Sequence, residues 1–177
     1  MSNTPNHYGA GRERPEPVQI VKQRRDTALA ALADGVPYVR FLGILFERHG
    51  DELTAVLPFK EDLIGNPVMP AIHGGVTAAF LEVAAVIELT WSSFWDDLES
   101  DQISAEEITR DHLPRYPKTI DFTIDYLRTG LPRDAYARAR VVRSGRRYAS
   151  VHVEAWQDNR LRPFAQGTGH FLMQDNG

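Results

Sequence analysis

The chain is 177 residues long, carries a formal net charge of -4 and contains no cysteine. That length suits one domain whose core needs no covalent staple, and the lack of cysteine excludes disulfides, thiolate metal sites and a cysteine nucleophile. Lys and Arg are scattered rather than gathered in a stripe, which excludes the electrostatic footprint of a nucleic-acid binder.

Residues 1–17, MSNTPNHYGAGRERPEP, are polar and rich in Pro and Gly without an apolar signal region, and are expected to form a mobile N-terminal tail. No later run is read as a membrane span, so no membrane partner is expected and the location is read as cytoplasmic. From Val18 to Ala33, Ile20, Val21, Ala28, Leu29 and Leu32 alternate with Lys22, Arg24, Arg25 and Asp26, the pattern of an amphipathic surface helix closed by Gly35 and Pro37. VRFLGILFERHGDELTAVLPF reads as two strands around a His49-Gly50-Asp51 turn, with Val39, Phe41, Gly43 and Leu45 on one face. The prolines of EDLIGNPVMPAI forbid helix or central strand, so this stretch is a loop leading to His73.

A long helix is expected over about 73–91, followed by an irregular or short-helical insertion over about 92–117 whose Phe94, Trp95 and Leu98 are expected to line or lid a pocket. After it TIDFTIDYL alternates, with Ile120, Phe122, Ile124 and Tyr126 on one face and Thr119, Asp121, Thr123 and Asp125 on the other. AYARARVVR, RRYASVHVEAW and RPFAQGTGHFLM continue as strands, with turn signals at Ser144-Gly145 and Asp158-Asn159. The lone Gly167-Thr168-Gly169 is a bulge or a close contact with the helix. Together these elements spell α+β, an antiparallel sheet curved around one long apolar helix, within a single domain over 18–177.

Between Gly75 and Leu89 the polar side chains are Thr77, Glu82 and Glu88, so the helix is expected to be buried on all sides, with Glu88 near enough to its end to reach water. Glu82 then needs a reason. Either it meets a core hydrogen bond or a small solvated groove, or it is a base or nucleophile in a cleft. His73-Gly74-Gly75 is either a plain turn or a helix start whose free N–H groups hold an oxyanion, and acyl transfer needs both an oxyanion donor and a base. Seven residues bring Gly75 and Glu82 to one face but leave them roughly 10 Å apart along the axis. One carbonyl cannot touch both, so the spacing argues for a site shared across an antiparallel, two-fold dimer. Arg143, Arg146 and Arg147 sit at a hairpin turn, either solvated or facing phosphate groups. The six histidines show no metal-ligand spacing, and no metal is expected.

In the order hairpin, NP-rich loop, HGG, apolar helix with an acid, and a strand ending DYLRTG, residues 36–173 resemble the hotdog-fold acyl-CoA thioesterases of the PaaI-like (phenylacetate-degradation) branch. The resemblance implies a homodimer or a tetramer built as a dimer of dimers, hydrolysing an acyl-CoA thioester with no cofactor beyond the CoA of its substrate. It implies that Gly74 polarises the thioester carbonyl, that Glu82 activates water or attacks, and that His73 helps to hold the thioester end. Asn66 matches an asparagine of the preceding loop, and Thr119 stands where members often carry a Ser or Thr that orients water. Tyr126-Leu127-Arg128-Thr129 replaces the family's YLRP near the pantetheine arm, and the insertion is longer than usual. Arg128, Arg146 and Arg147, with Gly75, complete the expected substrate contacts. The rival readings are a non-catalytic acyl-thioester-binding hotdog protein and a hotdog dehydratase or hydratase.

Overall fold

The computed structural model describes residues 17–99 and 114–174, with side chains throughout except at 94–99. The expected tail, apart from Pro17, and residues 100–113 of the expected insertion lie outside the described residues, as do the side chains of Phe94, Trp95 and Leu98.

Helix α1, Val18–Asp34, is the amphipathic element read from the sequence, and its chain turns off at Gly35. Its buried stripe, Ala28, Leu29 and Leu32, packs with Leu53, Ile87 and Trp91, and the Tyr116 hydroxyl donates to the Leu32 carbonyl at 2.6 Å. The first expected strand is corrected. Pro37–Leu42 is a short helix, α2, with Pro37 in its first turn, where a missing N–H costs nothing. Gly43 ends it in the left-handed region at φ 74°, so its N–H can close on the Val39 and Arg40 carbonyls. Alternating apolar residues suggested a strand, but the proline–glycine bracket outweighs them. The hairpin itself stands one step later, with β1 (Leu45–His49) and β2 (Glu52–Leu57) meeting at Gly50, φ 65°.

The proline loop contains a one-turn 3-10 helix (Glu61–Leu63) and a small separate pair, β3 (Ile64–Asn66) with β4 (Ala71–Ile72), which leaves Pro67 and Pro70 in the connecting turn. Helix α3 runs from Gly74 to Glu99, eight residues past the expected end at 91. Ser92 and Ser93 do not stop it, because their hydroxyls bond back to the carbonyls of Leu89 and Thr90. The stretch Gly74–Ser93 is long and apolar enough to cross a membrane by length and composition, contrary to the sequence reading, but half of it is buried inside this fold.

Strands β5 (Lys118–Tyr126), β6 (Ala135–Ser144), β7 (Tyr148–Trp156) and β8 (Ala165–Leu172) follow. All ladders are antiparallel, in the order β1-β2-β6-β7-β8-β5, and α3 lies across β6, β7 and β8. This is the expected hotdog arrangement. The inner sheet face presents Ala135, Ala137, Ala149 and Ala155, small enough to let Phe80, Leu81 and Ala84 of the helix approach closely. Each large side chain so buried contributes about 1.5–3 kcal/mol.

Two local features differ from the sequence reading. In β5 the register slips between Thr119, opposite Phe171, and Asp121, opposite His170. Ile120 is the extra, bulged residue and is 55% exposed. The bulge resets the alternation, so Thr119 shares the inner face with Phe122 and Ile124 and not the outer face with Asp121 and Asp125. The ladders run in regular register through Gly167 and Gly169, so neither marks a bulge. The Phe122 and Phe171 rings lie over the bare backbone, and a Cβ on Gly169 would come within 2.7 Å of Phe122 and 2.6 Å of Phe171.

Candidate active site

At the start of α3 the chain is held from several sides. The His73 N–H donates to the Leu63 carbonyl at 2.8 Å, and the Thr77 N–H to the His73 carbonyl at 3.0 Å. Gly65 packs so closely on His73 that a Cβ there would lie 2.8 Å from its Cα, which is why glycine occupies that position. The Tyr126 hydroxyl, at the end of β5, donates to the Gly74 carbonyl at 2.9 Å. Nothing in the sequence singled out Tyr126 for this role, because the contact joins residues 52 apart.

The donors here are sorted by one hydrogen bond. The Gly75 N–H points to His73 Nδ1 at 2.9 Å. A backbone N–H can only donate, so Nδ1 accepts, and the neutral ring carries its proton on Nε2. Gly75 is therefore occupied, and the Gly74 N–H, which has no partner among the described residues, is the free donor of the pair. The Gly74 N–H and the His73 ring thus stand at the N-terminus of α3, the end that the helix dipole makes favourable for negative charge.

Glu82 is not enclosed on all sides, which corrects the sequence reading. Sheet and α1 cover most of α3, but one flank stays half-open, and Glu82 stands on it. It borders a cavity of about 210 Å³ whose other walls are Val36, Tyr38 and Val39 from α2 and its lead-in, and Ala79, Val83, Val86 and Ile87 from α3. The α2 side of this cavity was hidden from sequence reading by the strand assignment. Glu88 is half-buried, so it keeps the expected reach to water; it continues the stripe of Thr77, Leu81 and Ala84, and desolvation pushes its carboxyl up to about 7.

The remaining sequence-predicted residues fall in three places. Asn66 is exposed, and its side-chain oxygen accepts from Val68 N–H (3.0 Å) and Met69 N–H (3.3 Å), turning the proline loop and leaving its amide NH2 outward. Arg128 lies at the helix-start end, with its guanidinium on the Pro163 carbonyl, in the loop whose Gly130 carbonyl accepts from Ile72 N–H at 2.8 Å. Thr119 begins β5 whereas Tyr126 ends it. Seven residues at about 3.3 Å each put Thr119 roughly 23 Å from the helix start. Arg146 and Arg147 occupy the β6–β7 turn, also at the end away from Gly74. Within one chain, then, His73, Gly74 and Arg128 gather at one end, Glu82 lies midway along the helix, and Thr119, Arg146 and Arg147 lie at the other. Among the described residues no three His, Asp or Glu side chains form a metal-binding group.

Comparison with known proteins bears on this geometry. The family model of the acyl-CoA thioesterase N-terminal domain matches residues 65–172. The medium/long-chain acyl-CoA thioesterase YigI of Escherichia coli K12 is 34% identical over 128 residues, which is 71% of this chain and 79% of that protein. A crystal structure of a Chromobacterium violaceum protein superposes with a TM-score of 0.60 at 33% identity, covering 90% of this chain and all of its own. A phenylacetic acid degradation-related protein of Ralstonia eutropha JMP134 shares the fold, with a TM-score of 0.60 at 21% identity over 82% of this chain and 99% of its own.

Proposed function

The chain belongs to the acyl-CoA thioesterase family and is a thioester hydrolase, and on that premise we propose that its active site is assembled from two subunits. The oxyanion donors of one subunit, Gly74 N–H and His73 Nε2–H, meet Glu82 of the other. The name of the similar E. coli enzyme supports medium- or long-chain acyl-CoA as the substrate.

The observation that carries this reading is the separation within one chain. Gly75 and Glu82 share a helix face at roughly 10 Å, and Thr119 is farther still, so a thioester carbonyl held at Gly74 reaches neither within its own subunit. Among the described residues strand β5 is an edge of the sheet, nine residues long, with no strand paired to its outer side. Antiparallel pairing of β5 with its two-fold copy sets the Thr119 end of one strand beside the Tyr126 end of the other. The same operation runs the two α3 helices antiparallel.

In that arrangement the carbonyl oxygen accepts from Gly74 N–H and His73 Nε2–H. Glu82, on the flank that solvent reaches, takes a proton from the attacking water. The hydroxide adds to the carbonyl carbon, and the tetrahedral intermediate collapses with release of the CoA thiolate, a good leaving group because thiols ionise near pH 8.5. Arg128, beside the helix start, is placed to meet the CoA arm.

Two inactive variants test the shared site. Glu82→Ala removes the base. Gly74→Pro removes the free N–H at the first helical position, where proline is tolerated and where a Cβ meets only the Tyr126 ring at ordinary contact distance. Mixed and exchanged at random, about half of the dimers carry one intact site, and activity returns to roughly a quarter of wild type. Heterodimers verified by native mass spectrometry that stay as inactive as their parents defeat the proposal.

A further inference from the structure

We propose that Gln157 is a positioning residue for the reaction, acting on the start of α3 through the 127–134 loop. This rests on the reading above that the Gly74 N–H meets the thioester oxygen, and it names what fixes that donor in place.

The sheet order forces a bridge at this end of the molecule. Strand β5 is the edge strand and β6 lies three places inward, so the chain from Tyr126 to Ala135 crosses the ends of β8 and β7. The eight residues that do so form no helix or strand, and Gly130 is the buried one among them. Such loops move unless side chains tie them. Yet this one supports the helix start, because the Gly130 carbonyl accepts from Ile72 N–H at 2.8 Å, one residue before His73 and two before Gly74. The contact is close: a Cβ on Gly130 would lie 3.0 Å from the Phe164 ring and 3.5 Å from Ile72 Cβ.

Gln157, the first residue after β7, supplies the tie. Its Nε2 donates to the Leu131 carbonyl at 2.8 Å and to the Arg133 carbonyl at 3.1 Å, while its Oε1 accepts from Leu131 N–H at 2.9 Å. Turning the amide over would set its oxygen against two carbonyls, so one orientation alone satisfies the loop. An ion pair between Arg133 and Asp158, at 2.6 Å, spans the same gap, but both side chains are exposed and such pairs contribute little. Three hydrogen bonds from one half-buried amide are the stronger hold. Arg128 is secured separately, by its N–H on the Phe164 carbonyl at 3.0 Å and its guanidinium on the Pro163 carbonyl. Loss of the Gln157 amide therefore loosens Leu131 and Gly130 and, through them, Ile72 and Gly74, while Arg128 stays in place.

Gln157→Ala tests this in the whole protein, read first by amide hydrogen exchange followed by NMR. The Ile72 N–H is expected to exchange about tenfold faster than in wild type, with the amides of the β1–β2 ladder unchanged. With a medium-chain acyl-CoA, kcat should fall about fivefold or more while KM stays within about twofold. Gly130→Ala displaces the next link of the relay, so adding Gln157→Ala to it should cost less than about twofold more. Should Gly130→Ala fail to fold, exchange and kinetics of Gln157→Ala decide by themselves. Unchanged exchange at Ile72 overturns the proposal, as do losses that multiply in the double variant. Equal acceleration in the β1–β2 ladder would make Gln157 a general stabiliser, and a rise in KM alone would put it on the substrate; either result overturns the proposal. Gly74→Pro separates this inference from the reading it rests on. Faster exchange at Ile72 with unchanged kcat overturns the positioning role if Gly74→Pro is inactive, and faults the Gly74 site itself if Gly74→Pro is fully active.

Discussion

Along α3, Thr77, Leu81, Ala84 and Glu88 form the stripe laid on the sheet, whereas Ala79, Glu82, Val83 and Val86 form the flank left beside α2. Each stripe carries one glutamate in otherwise apolar company. On the sheet side, desolvation pushes the carboxyl of half-buried Glu88 up to about 7. On the flank, Glu82 keeps access to solvent and borders a cavity. A perturbed carboxyl is often read as the mark of a catalytic site. Here the perturbed acid lines no part of that cavity and the other does, which is why the base proposed above is Glu82.

The sharpest way to break this contrast is to neutralise each acid without changing its shape. Glu82→Gln is expected to fold as wild type and to lose about 100-fold or more in kcat, measured with a medium-chain acyl-CoA. Near wild-type turnover in that variant would move the chemistry elsewhere.

Glu88→Gln should act on stability instead. Its folded-state pKa is raised from 4.5 to about 7, so the wild type is stable with the acid neutral below about pH 4.5 and loses that stability as pH rises towards 7. Glutamine stays neutral throughout. The variant is therefore expected to gain on the order of 1–3 kcal/mol over wild type at pH 8 and almost nothing near pH 4.5. Thermal melts at both pH values check this, and an equal difference at both would show that burial of the charge is not what separates the two stripes. Its kcat should stay within about threefold of wild type, because the sheet-facing stripe does not line the cavity.

The smallest effect sharpens the geometry at the helix start. Tyr126→Phe deletes only the hydroxyl that holds the Gly74 carbonyl, and is expected to cost about 1 kcal/mol of stability. If that anchor also aims the Gly74 N–H, kcat falls by up to roughly fivefold with KM little changed. A change confined to KM would place Tyr126 in substrate binding.

Much of the architecture was legible from pattern alone. Alternation through 148–156 and the first half of 135–144, with turn residues between, marks two strands, and the apolar run after His73-Gly74-Gly75 reads as a buried helix. The same seven-residue spacing that places Gly75 and Glu82 on one face already separates them by about 10 Å. These are properties of local geometry, and the chain carries them wherever it folds. Other features depend on contacts that no local window contains. Val39 and Phe41 alternate as a strand would, and became helical between Pro37 and Gly43. Ile120 was extruded because β5 had to match both Phe171 and His170 of β8, and that slip turned Thr119 inward. That Glu82 and not Glu88 borders the cavity was decided by where α2 packs beside α3. Periodicity tells which residues share a stripe, and only the packing of the other elements tells which stripe is covered.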